Sequence, residues 1–372
     1  MTDADLSIIG GSQIDDNSAC HGGGIMTNNG TLKTVHIEST DTTGNTARCD
    51  IGGGLLFANL ASVDISQTTV SGNHAKRGAG YAQSGSTTST ISGITVNGNV
   101  IDTDGTGAAG MEIYGTATIT GSQVSLNVAP TGIGGIRLNS GSTFTMTDSA
   151  IINNGGDAAG GLLVENNISA LLQRIEITSN TATNGGGITA VNGGNIDLEN
   201  VTIAGNTAAH YGGGLYLQGN DSADLDHVTI ADNTGTLYGD AVYIDNNGVW
   251  SSKNSIFYYI TGGDVCYHAA LSVVASYGHN IIGDNTCHLL AGTDLADTDP
   301  LLGELDFYHS KLQTTPPLPG SPAIDGAITS DPVITDERGM PRVDGNLDGV
   351  IESDIGAHEY YPQFFLPVII KS

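Results

Sequence analysis

Three side chains that could carry out acid–base chemistry recur at nearly one spacing along the chain. Glu112, Arg137 and Glu165 are separated by 25 and 28 residues. Two carboxylates beside a guanidinium could act as acid and base on a glycan, so these residues are the candidate catalytic set of a polysaccharide lyase or glycoside hydrolase. The alternative is an ordinary solvated face on which Arg137 forms an ion pair with Glu112.

Aromatic and amide side chains accompany this set at the same repeat spacing and indicate a ligand surface. Tyrosine rings offer a face on which a sugar ring can stack, while amides and carboxylates hydrogen-bond to hydroxyl groups. The candidate ligand-binding residues are Tyr114, Asn139, Tyr216, Gln218, Tyr243 and Asp245. The expected partner is a polysaccharide or another cell-surface or matrix component.

One stretch near the C-terminus, DGNLDGVIESD (344–354), has the ligand spacing of a calcium loop. Oxygen ligands at alternate positions before a glycine are typical of the first half of an EF-hand or dockerin-type loop. The candidate Ca²⁺ ligands are Asp344, Asn346, Asp348, Val350 through its carbonyl, Glu352 and Asp354. Ile355 stands at the twelfth position, where a carboxylate belongs, so a plain glycine-containing turn is the alternative.

The four cysteines predict two disulfides, Cys20–Cys49 and Cys266–Cys287. The first pair follows equivalent asparagines of adjacent repeats, so the two thiols come close together if the repeats stack. Disulfides imply an oxidising compartment, and therefore a secreted or cell-surface protein whose export signal has been removed. The spacing of the second pair is unlike a standard zinc motif, but the alternative is a metal site of Cys266, His268, Cys287 and His288.

These residues must be positioned by an internal repeat of 26 to 28 residues. An asparagine returns nine times between Asn17 and Asn233, and a glycine-rich cluster follows it. Eight residues before each asparagine stands an apolar residue, from Ile9 to Leu225. The alternation within one repeat predicts three short strands, Ile188–Val191, Asn195–Glu199 and Val201–Ala204.

Repeats of short strands without hairpin signals predict an all-β, right-handed parallel β-helix of about nine regular rungs with an irregular C-terminal region. The asparagines are expected to hydrogen-bond to one another in tight left-handed turns, and the glycines to permit close backbone approach. An outward threonine face is expected from Thr69, Thr95, Thr202 and Thr229, interrupted by Gln123, Ala150 and Glu176. The predicted organisation is repeats over 1–260, an irregular end over 261–360 and a sorting or anchoring tail over 361–372.

Composition argues against several classes of partner. The chain has 39 Asp and Glu against 11 Lys and Arg, a formal net charge of −28. Nucleic acid is not an expected partner, because phosphate contacts need basic side chains. No apolar run approaches the roughly 20 residues needed to cross a bilayer. The open ends of a β-helix expose strand edges, so end-to-end self-association is also expected.

Four C-terminal stretches resemble the end of bacterial surface β-helix proteins of the choice-of-anchor Q domain type. They are SYGHNIIGDNTC (276–287), DTDPLLGEL (297–305), LPGSPAIDGA (318–327) and DERGMPRVDGNLDGVIESDIGAHEY (336–360). The repeats resemble those of polymorphic outer membrane proteins and autotransporter adhesins, and the final FFLPVIIKS is similar to a short sorting or anchoring tail. The resemblance implies secretion and display at the cell surface without one defined activity.

The function expected from these features is adhesion or binding of an extracellular polysaccharide or matrix component, without assured catalysis. A lyase or glycosidase acting on the face of Glu112, Arg137 and Glu165 is the alternative. A structural spacer or fibre subunit is the third possibility.

Overall fold

The strands of the protein stack into a solenoid. The computed structural model describes residues 4–28, 32–139, 143–259, 263–328 and 332–362. Over these ranges the regular structure is entirely β, and every pair of neighbouring strands is parallel within one of three sheets. The all-β solenoid fold is confirmed. No helix long and apolar enough to cross a membrane occurs in the described ranges.

Each turn of the chain passes in order through a first, a second and a third sheet. The first sheet contains ten strands: Ile25–Asn28, Leu55–Ala58, Tyr81–Ser84, Met111–Ile113, Ile136–Leu138, Leu162–Glu165, Ile188–Val191, Leu215–Gln218, Val242–Ile244 and Cys266–His268. The second contains eighteen: Ala4–Ile8, Gln13–Asp15, Leu32–Glu38, Asp41–Thr43, Ser62–Ser66, Thr69–Ser71, Thr88–Ser92, Thr95–Asn97, Thr116–Thr120, Gln123–Ser125, Thr143–Ile152, Ser169–Thr178, Asn195–Ala204, Ser222–Ala231, Val249–Lys253, Ile256–Tyr258, Val273–Gly278 and Ile281–Ile282. The third contains nine: Ser18–Ala19, Thr46–Ala47, His74–Ala75, Val100–Ile101, Val128–Ala129, Gly155–Gly156, Thr181–Asn184, Thr207–Tyr211 and Thr234–Gly235.

Apolar residues of successive turns stack directly on one another to form the core. The predicted column begins at Ile37 and continues in register through Ile65 and Ile91 to Leu225, and its members are buried. The prediction was wrong for Ile9, which is 56% exposed, because Ile8 is the residue paired with Ile37.

The second sheet differs from the prediction of two separate strands per turn. Residues 195–204 form one continuous strand that bends at Asn200, whose φ is +55°. The equivalent bends lie at Arg174 and His227, with φ of +53° and +51°. In earlier turns the same bend separates two strands, as at Ser39 with φ of +49°. A left-handed residue thus turns the strand while its inward side chains stay in the core.

The repeated asparagines form a hydrogen-bonded ladder along the solenoid, as predicted. Asn127 donates to Asn154 Oδ1 from its backbone N at 3.1 Å and from Nδ2 at 2.9 Å, and Nδ2 also donates to Val96 O at 3.0 Å. The prediction was wrong about backbone conformation, because the left-handed residue is the one before each asparagine, such as Leu126 or Asn153. The asparagine side chain therefore satisfies backbone groups that the tight turn leaves unpaired.

The glycine clusters are required where the chain re-enters the first sheet. Gly185 has a φ of +58°, which disfavours any side chain. A Cβ atom on Gly186 would lie 2.6 Å from the carbonyl oxygen of Gly213 in the next turn. The clusters therefore permit the close backbone approach that the sequence predicts.

A C-terminal segment, defined as residues 297–328 and 332–362, folds back across the outside of the second sheet. Thr202 donates to Glu337 Oε2 and lies 3.0 Å from Thr314 Oγ1. The hydroxyl oxygen of Thr229 accepts a hydrogen bond from the N–H of Ala357 at 3.0 Å. Thr202 and Thr229 are consequently buried, so this part of the predicted threonine face is an internal interface.

A buried ion cluster of five side chains holds this segment together: Asp336, Arg338, Arg342, Asp354 and Glu359. Arg338 pairs with Asp336 at 2.6 Å, and Arg342 pairs with Glu359 at 3.0 Å. Burial raises the pKa of Asp354 and of Glu359, and the Arg342 guanidinium opposes both shifts. The motif DERGMPR therefore has a structural role, because it supplies three members of the cluster.

Changing Glu337 to Gln is expected to flatten the pH dependence of stability. Glu337 is 1% exposed, and burial raises its pKa well above the ordinary 4.5, although a hydrogen bond from Thr202 lowers it in part. The folded protein holds a proton that the unfolded chain releases, so this stability is present below pH 4.5 and is lost as pH rises toward the raised pKa. Urea denaturation across this range should show a smaller decline for Glu337→Gln; an unchanged slope would contradict the assignment.

Candidate functional site

The predicted catalytic set comes together on the outward face of the first sheet. Arg137 donates to Glu165 Oε1 from Nη2 at 2.7 Å and from Nε at 3.1 Å. Its Nη1 lies 3.4 Å from Glu112 Oε1. The parallel register that pairs Glu112 with Arg137 explains this contact, since paired residues point to the same face.

Glu112 is enclosed rather than exposed at this outward position. Its side chain has no exposed surface, and Oε2 accepts a hydrogen bond from the backbone N of Ala108 at 2.8 Å. The arm that precedes its strand therefore covers the carboxylate. Burial raises the pKa of Glu112, and the positive charge of Arg137 opposes this shift.

This geometry makes Glu112, Arg137 and Glu165 a cross-strand brace. A general acid or base must reach the proton that it transfers, and Glu112 has no open surface through which a substrate could approach. Arg137 is shared between two carboxylates, so its charge is already compensated. The arrangement fits the expected ion pair more closely than the expected acid–base pair.

The predicted ligand residues Tyr114 and Asn139 also meet across neighbouring strands. Asn139 Nδ2 donates to the hydroxyl oxygen of Tyr114 at 2.7 Å, and Asn166 Nδ2 donates to Asn139 Oδ1 at 3.3 Å. Asn139 is 7% exposed, and Tyr114 is half-buried. The pair therefore forms a polar wall beside the brace.

The most distinctive feature of this face is a tyrosine platform, defined as Tyr211, Tyr216, Tyr238, Tyr243 and Tyr267. The rings of Tyr243 and Tyr267 stack with centroids 4.9 Å apart and planes 12° apart. Tyr211 lies 4.7 Å from Tyr243, and Tyr216 lies 5.3 Å from Tyr243. Tyr238 is 47% exposed, so the platform presents aromatic surface to solvent.

The sequence prediction included Tyr216 and Tyr243 and missed the other three platform residues. Tyr211 and Tyr238 are 27 residues apart and directly precede the glycine positions at which each arm re-enters the first sheet. That spacing equals the repeat length, so it could have indicated from the sequence that Tyr211 and Tyr238 lie on neighbouring turns. Tyr267 is paired in register with Tyr243, but it follows the point at which the sequence pattern loosens.

A groove connects the platform with the brace. Its volume is about 390 Å³, within the range of small-molecule sites. The walls come from the arms on one side and from outward residues of the first sheet, and include Thr106, Thr131, Arg137, Glu165, Tyr216 and Gln218. Of the predicted ligand residues, Tyr216 and Gln218 therefore line this groove.

Asp245 gives the platform a negative electrostatic environment. Its carboxylate accepts hydrogen bonds from Asn246 N at 2.8 Å and from Asn246 Nδ2 at 3.3 Å. Burial raises the pKa of Tyr216 and of Tyr243 to about 12, and the charge of Asp245 adds to each shift. Both phenols thus remain neutral well above physiological pH.

The predicted calcium loop is closed by its own backbone. Asp344 accepts hydrogen bonds from the N–H groups of Asp348 and Gly349 at 3.1 Å and 2.8 Å. Asp354 is buried, and its oxygens accept from the N–H groups of Asp325 and Tyr360. Across the described ranges, no three His, Cys, Asp or Glu side chains are grouped to hold a metal ion. Calcium binding by 344–354, with Asn346, Val350 and Glu352 as further ligands, stays a prediction.

Both predicted disulfides are present, Cys20–Cys49 and Cys266–Cys287. The alternative metal site at Cys266 and Cys287 is therefore wrong, because the two sulfur atoms are bonded to each other. His268 and His288 remain beside that disulfide and contact each other through their ring nitrogens.

A match to a protein-family model agrees with this architecture. Residues 110–287 match the family model described as a right-handed β-helix region. The chain is a right-handed parallel β-helix. A crystal structure of pectate lyase Pel9A is similar with a TM-score of 0.44 and 13% sequence identity, over 88% of this chain and 80% of that chain. A search of curated proteins gave no match.

The resemblance to choice-of-anchor Q proteins and adhesin repeats stays a prediction. The boundary predicted at 260 falls within residues 260–262, and residues 363–372 of the predicted tail also lie outside the described residues. Strands of a tenth turn, Cys266–His268 and Val273–Gly278, follow that boundary.

Proposed function

We propose that this β-helix binds an extracellular polysaccharide along the outward face of its first sheet and does not cleave it. The tyrosine platform carries this proposal. Five tyrosines from three consecutive turns meet on one partly exposed surface, although the whole chain has only 13 tyrosines. Such rings provide large and rigid contact area with a polar hydroxyl at the rim, which suits the faces and edges of sugar rings.

The neighbouring polar groups support a saccharide ligand over an apolar one. Gln218 is exposed at the junction of the platform with the groove, and Asp245 directly follows the next strand of the first sheet, Val242–Ile244. Amide and carboxylate groups beside aromatic faces hydrogen-bond to hydroxyl groups and fix the orientation of a ligand. A groove of this kind along a rigid solenoid can contact several residues of a polymer at once.

The state of the brace supports binding without cleavage. Its carboxylates are occupied by Arg137 and, for Glu112, by the N–H of Ala108.

The lyase or glycosidase alternative is tested by incubating the protein with a panel of polysaccharides. New reducing ends or unsaturated uronate absorbance, lost in Glu112→Gln, would establish catalysis in place of simple binding.

The proposed setting is outside the cell, as a surface or matrix adhesin. Two disulfides connect residues that lie on neighbouring turns, and such bonds persist in oxidising compartments. A spacer or fibre subunit, the remaining alternative, predicts no glycan binding and concentration-dependent assembly through the solenoid ends.

Removing two rings from the platform is expected to weaken polysaccharide binding about tenfold or more. Aromatic contacts contribute roughly 0.5–1.5 kcal/mol each, and 1.4 kcal/mol corresponds to a factor of ten. The test is affinity electrophoresis of Tyr243→Ala/Tyr267→Ala in gels containing each polysaccharide of the panel. Tyr277→Ala is the matched control, since Tyr277 is 64% exposed on the second sheet. Equal retardation of the double variant and the wild type on every polysaccharide would contradict the proposal.

A further inference from the structure

The platform lies in a part of the chain with almost no lysine or arginine. Between residues 200 and 290 there is no arginine and one lysine, Lys253. That lysine lies on the second sheet and is paired with Asp226 at 2.9 Å. Eight aspartates occupy the same interval: Asp221, Asp224, Asp226, Asp232, Asp240, Asp245, Asp264 and Asp284.

The guanidinium that lines the groove is also compensated. Arg137 contacts Glu165 at 2.7 Å and Glu112 at 3.4 Å, so the brace as a whole carries two carboxylates and one positive charge. A uronate or sulfated glycan placed along this surface would find no free cation among the lining residues. Polyanionic ligands are therefore disfavoured by the site as well as by the net charge of −28.

The faces of the tyrosine rings favour a ligand that carries positive charge. The π-system of an aromatic ring attracts a cation held above its face, and this attraction grows where water is excluded. Asp245 is close enough to Tyr216 and Tyr243 to influence the titration of both phenols. An ammonium group on a ligand stacked here would meet aromatic faces and a carboxylate together.

We infer that the ligand of the platform is a polysaccharide bearing free amino groups, such as a polymer of glucosamine units. This inference rests on the proposed function and specifies its ligand class. The continuous row of contacting rings, in which Tyr216 meets Tyr243 edge to face and Tyr243 stacks on Tyr267, favours a chain of sugar rings over a lysine-rich peptide. The amino group supplies the positive charge, and the sugar ring supplies the stacking face.

The experiment compares four oligomers of matched length by isothermal titration calorimetry at neutral pH: glucosamine, N-acetylglucosamine, galacturonate and lysine. At this pH a part of the glucosamine amino groups is protonated. An unperturbed histidine side chain is mostly uncharged, so it adds little positive charge to the protein. Glucosamine oligomers are expected to bind about tenfold more tightly than the acetylated oligomers at low salt. High salt should reduce this preference, because screening weakens charge attraction.

Asp245→Asn should remove most of that preference, because the glucosamine oligomer loses both a charge contact and a hydrogen bond, whereas the acetylated oligomer loses only a hydrogen bond. Asp224→Asn is the control, because it makes the same charge change on the second sheet, where Asp224 accepts a hydrogen bond from Ser251 at 2.8 Å. The salt dependence of the wild-type protein gives a second test that does not depend on the folding of any variant.

The outcomes separate the ligand class from the proposed function. If acetylated or galacturonate oligomers bind as tightly as glucosamine oligomers, the amino-sugar inference is wrong and polysaccharide binding stands. If the lysine oligomer binds as tightly as the sugars, the ligand is defined by charge alone and the inference is also wrong. If no oligomer binds and the double tyrosine variant behaves as wild type on the whole panel, the proposed function itself is wrong.

Discussion

Replacing Asn154 with alanine is expected to lower the free energy of unfolding by about 3–5 kcal/mol, because each buried group left unpaired costs roughly 1–3 kcal/mol. Asn154 is 1% exposed, and its Oδ1 accepts from both the backbone N and Nδ2 of Asn127. Its Nδ2 donates to Val124 O at 2.9 Å and to Asn180 Oδ1 at 3.0 Å. One substitution thus removes four hydrogen bonds inside the solenoid. Asn127 Nδ2 keeps Val96 O and Asn180 Oδ1 keeps the backbone N of Asn154, but the backbone N of Asn127 and the carbonyl of Val124 lose these partners.

The measurement is urea denaturation followed by circular dichroism, with two asparagine controls. Asn285→Ala removes an exposed asparagine that lies outside the ladder and should change stability little. Asn17→Ala removes the first and exposed member of the ladder, so its effect should be intermediate. A loss below about 1 kcal/mol for Asn154→Ala would mean that water or backbone rearrangement replaces the ladder bonds.

The ladder shows why so much of the fold could be predicted from the sequence. A solenoid converts a sequence interval into a vertical contact, so a residue type that returns every 26 to 28 positions must stack on itself. The core column, the stacked asparagines and the Cys20–Cys49 bridge all follow from that one rule. The register at Ile9 failed because the first turn has a neighbour on one side only, so nothing above it enforces the spacing.

Only those features of the candidate site that depend on residues at the repeat spacing could be predicted from the sequence. Tyr216, Tyr243 and the contact between Glu112 and Arg137 follow from in-register pairing. The enclosure of Glu112 did not, because it depends on the path of an arm whose length varies from turn to turn. A repeat pattern shows which side chains share a face, but it does not show which non-repeating segment covers that face.

The C-terminal segment illustrates the same limit on a larger scale. Its residues have no repeat spacing, so the sequence gives no sign of the surface on which they pack. Contacts such as Asn200 Nδ2 to Thr335 O, at 3.0 Å, join positions 135 residues apart. The motif DERGMPR marks a buried ion cluster, and neither the motif nor its charges specify the second sheet as the docking face.

Replacing Arg342 with methionine is expected to detach this segment, with a loss of about 3–5 kcal/mol in the stability of its docked state. Arg342 is 7% exposed and donates to four groups. They are Glu359 Oε2 at 3.0 Å, Asp354 O at 3.1 Å, Asn200 Oδ1 at 2.8 Å and Gly356 O at 3.3 Å. Methionine matches the length of the side chain but removes the charge. Glu359 and Asp354 would then remain buried without their cation.

Hydrogen exchange of the intact protein measures this detachment. Amides that the docked segment protects, such as those of Ala357 and Arg342 itself, should exchange faster in the variant, whereas core amides of the first sheet should not. Arg48→Met is the control, since Arg48 is exposed. Arg342→Met/Glu359→Leu should recover part of the lost protection, because removing both partners of a buried pair costs less than removing one.

Arg342→Met also tests whether docking of the C-terminal segment and polysaccharide binding are independent of each other. The C-terminal segment covers the second sheet, while the tyrosine platform spans the first sheet and the adjoining end of the third, so Arg342→Met should leave polysaccharide retention unchanged. Unchanged exchange in the segment would show that the ion cluster does not hold it to the solenoid. Loss of retention together with loss of protection would show that the segment supports the binding face through the core, and the two faces would then have to be treated as one cooperative unit.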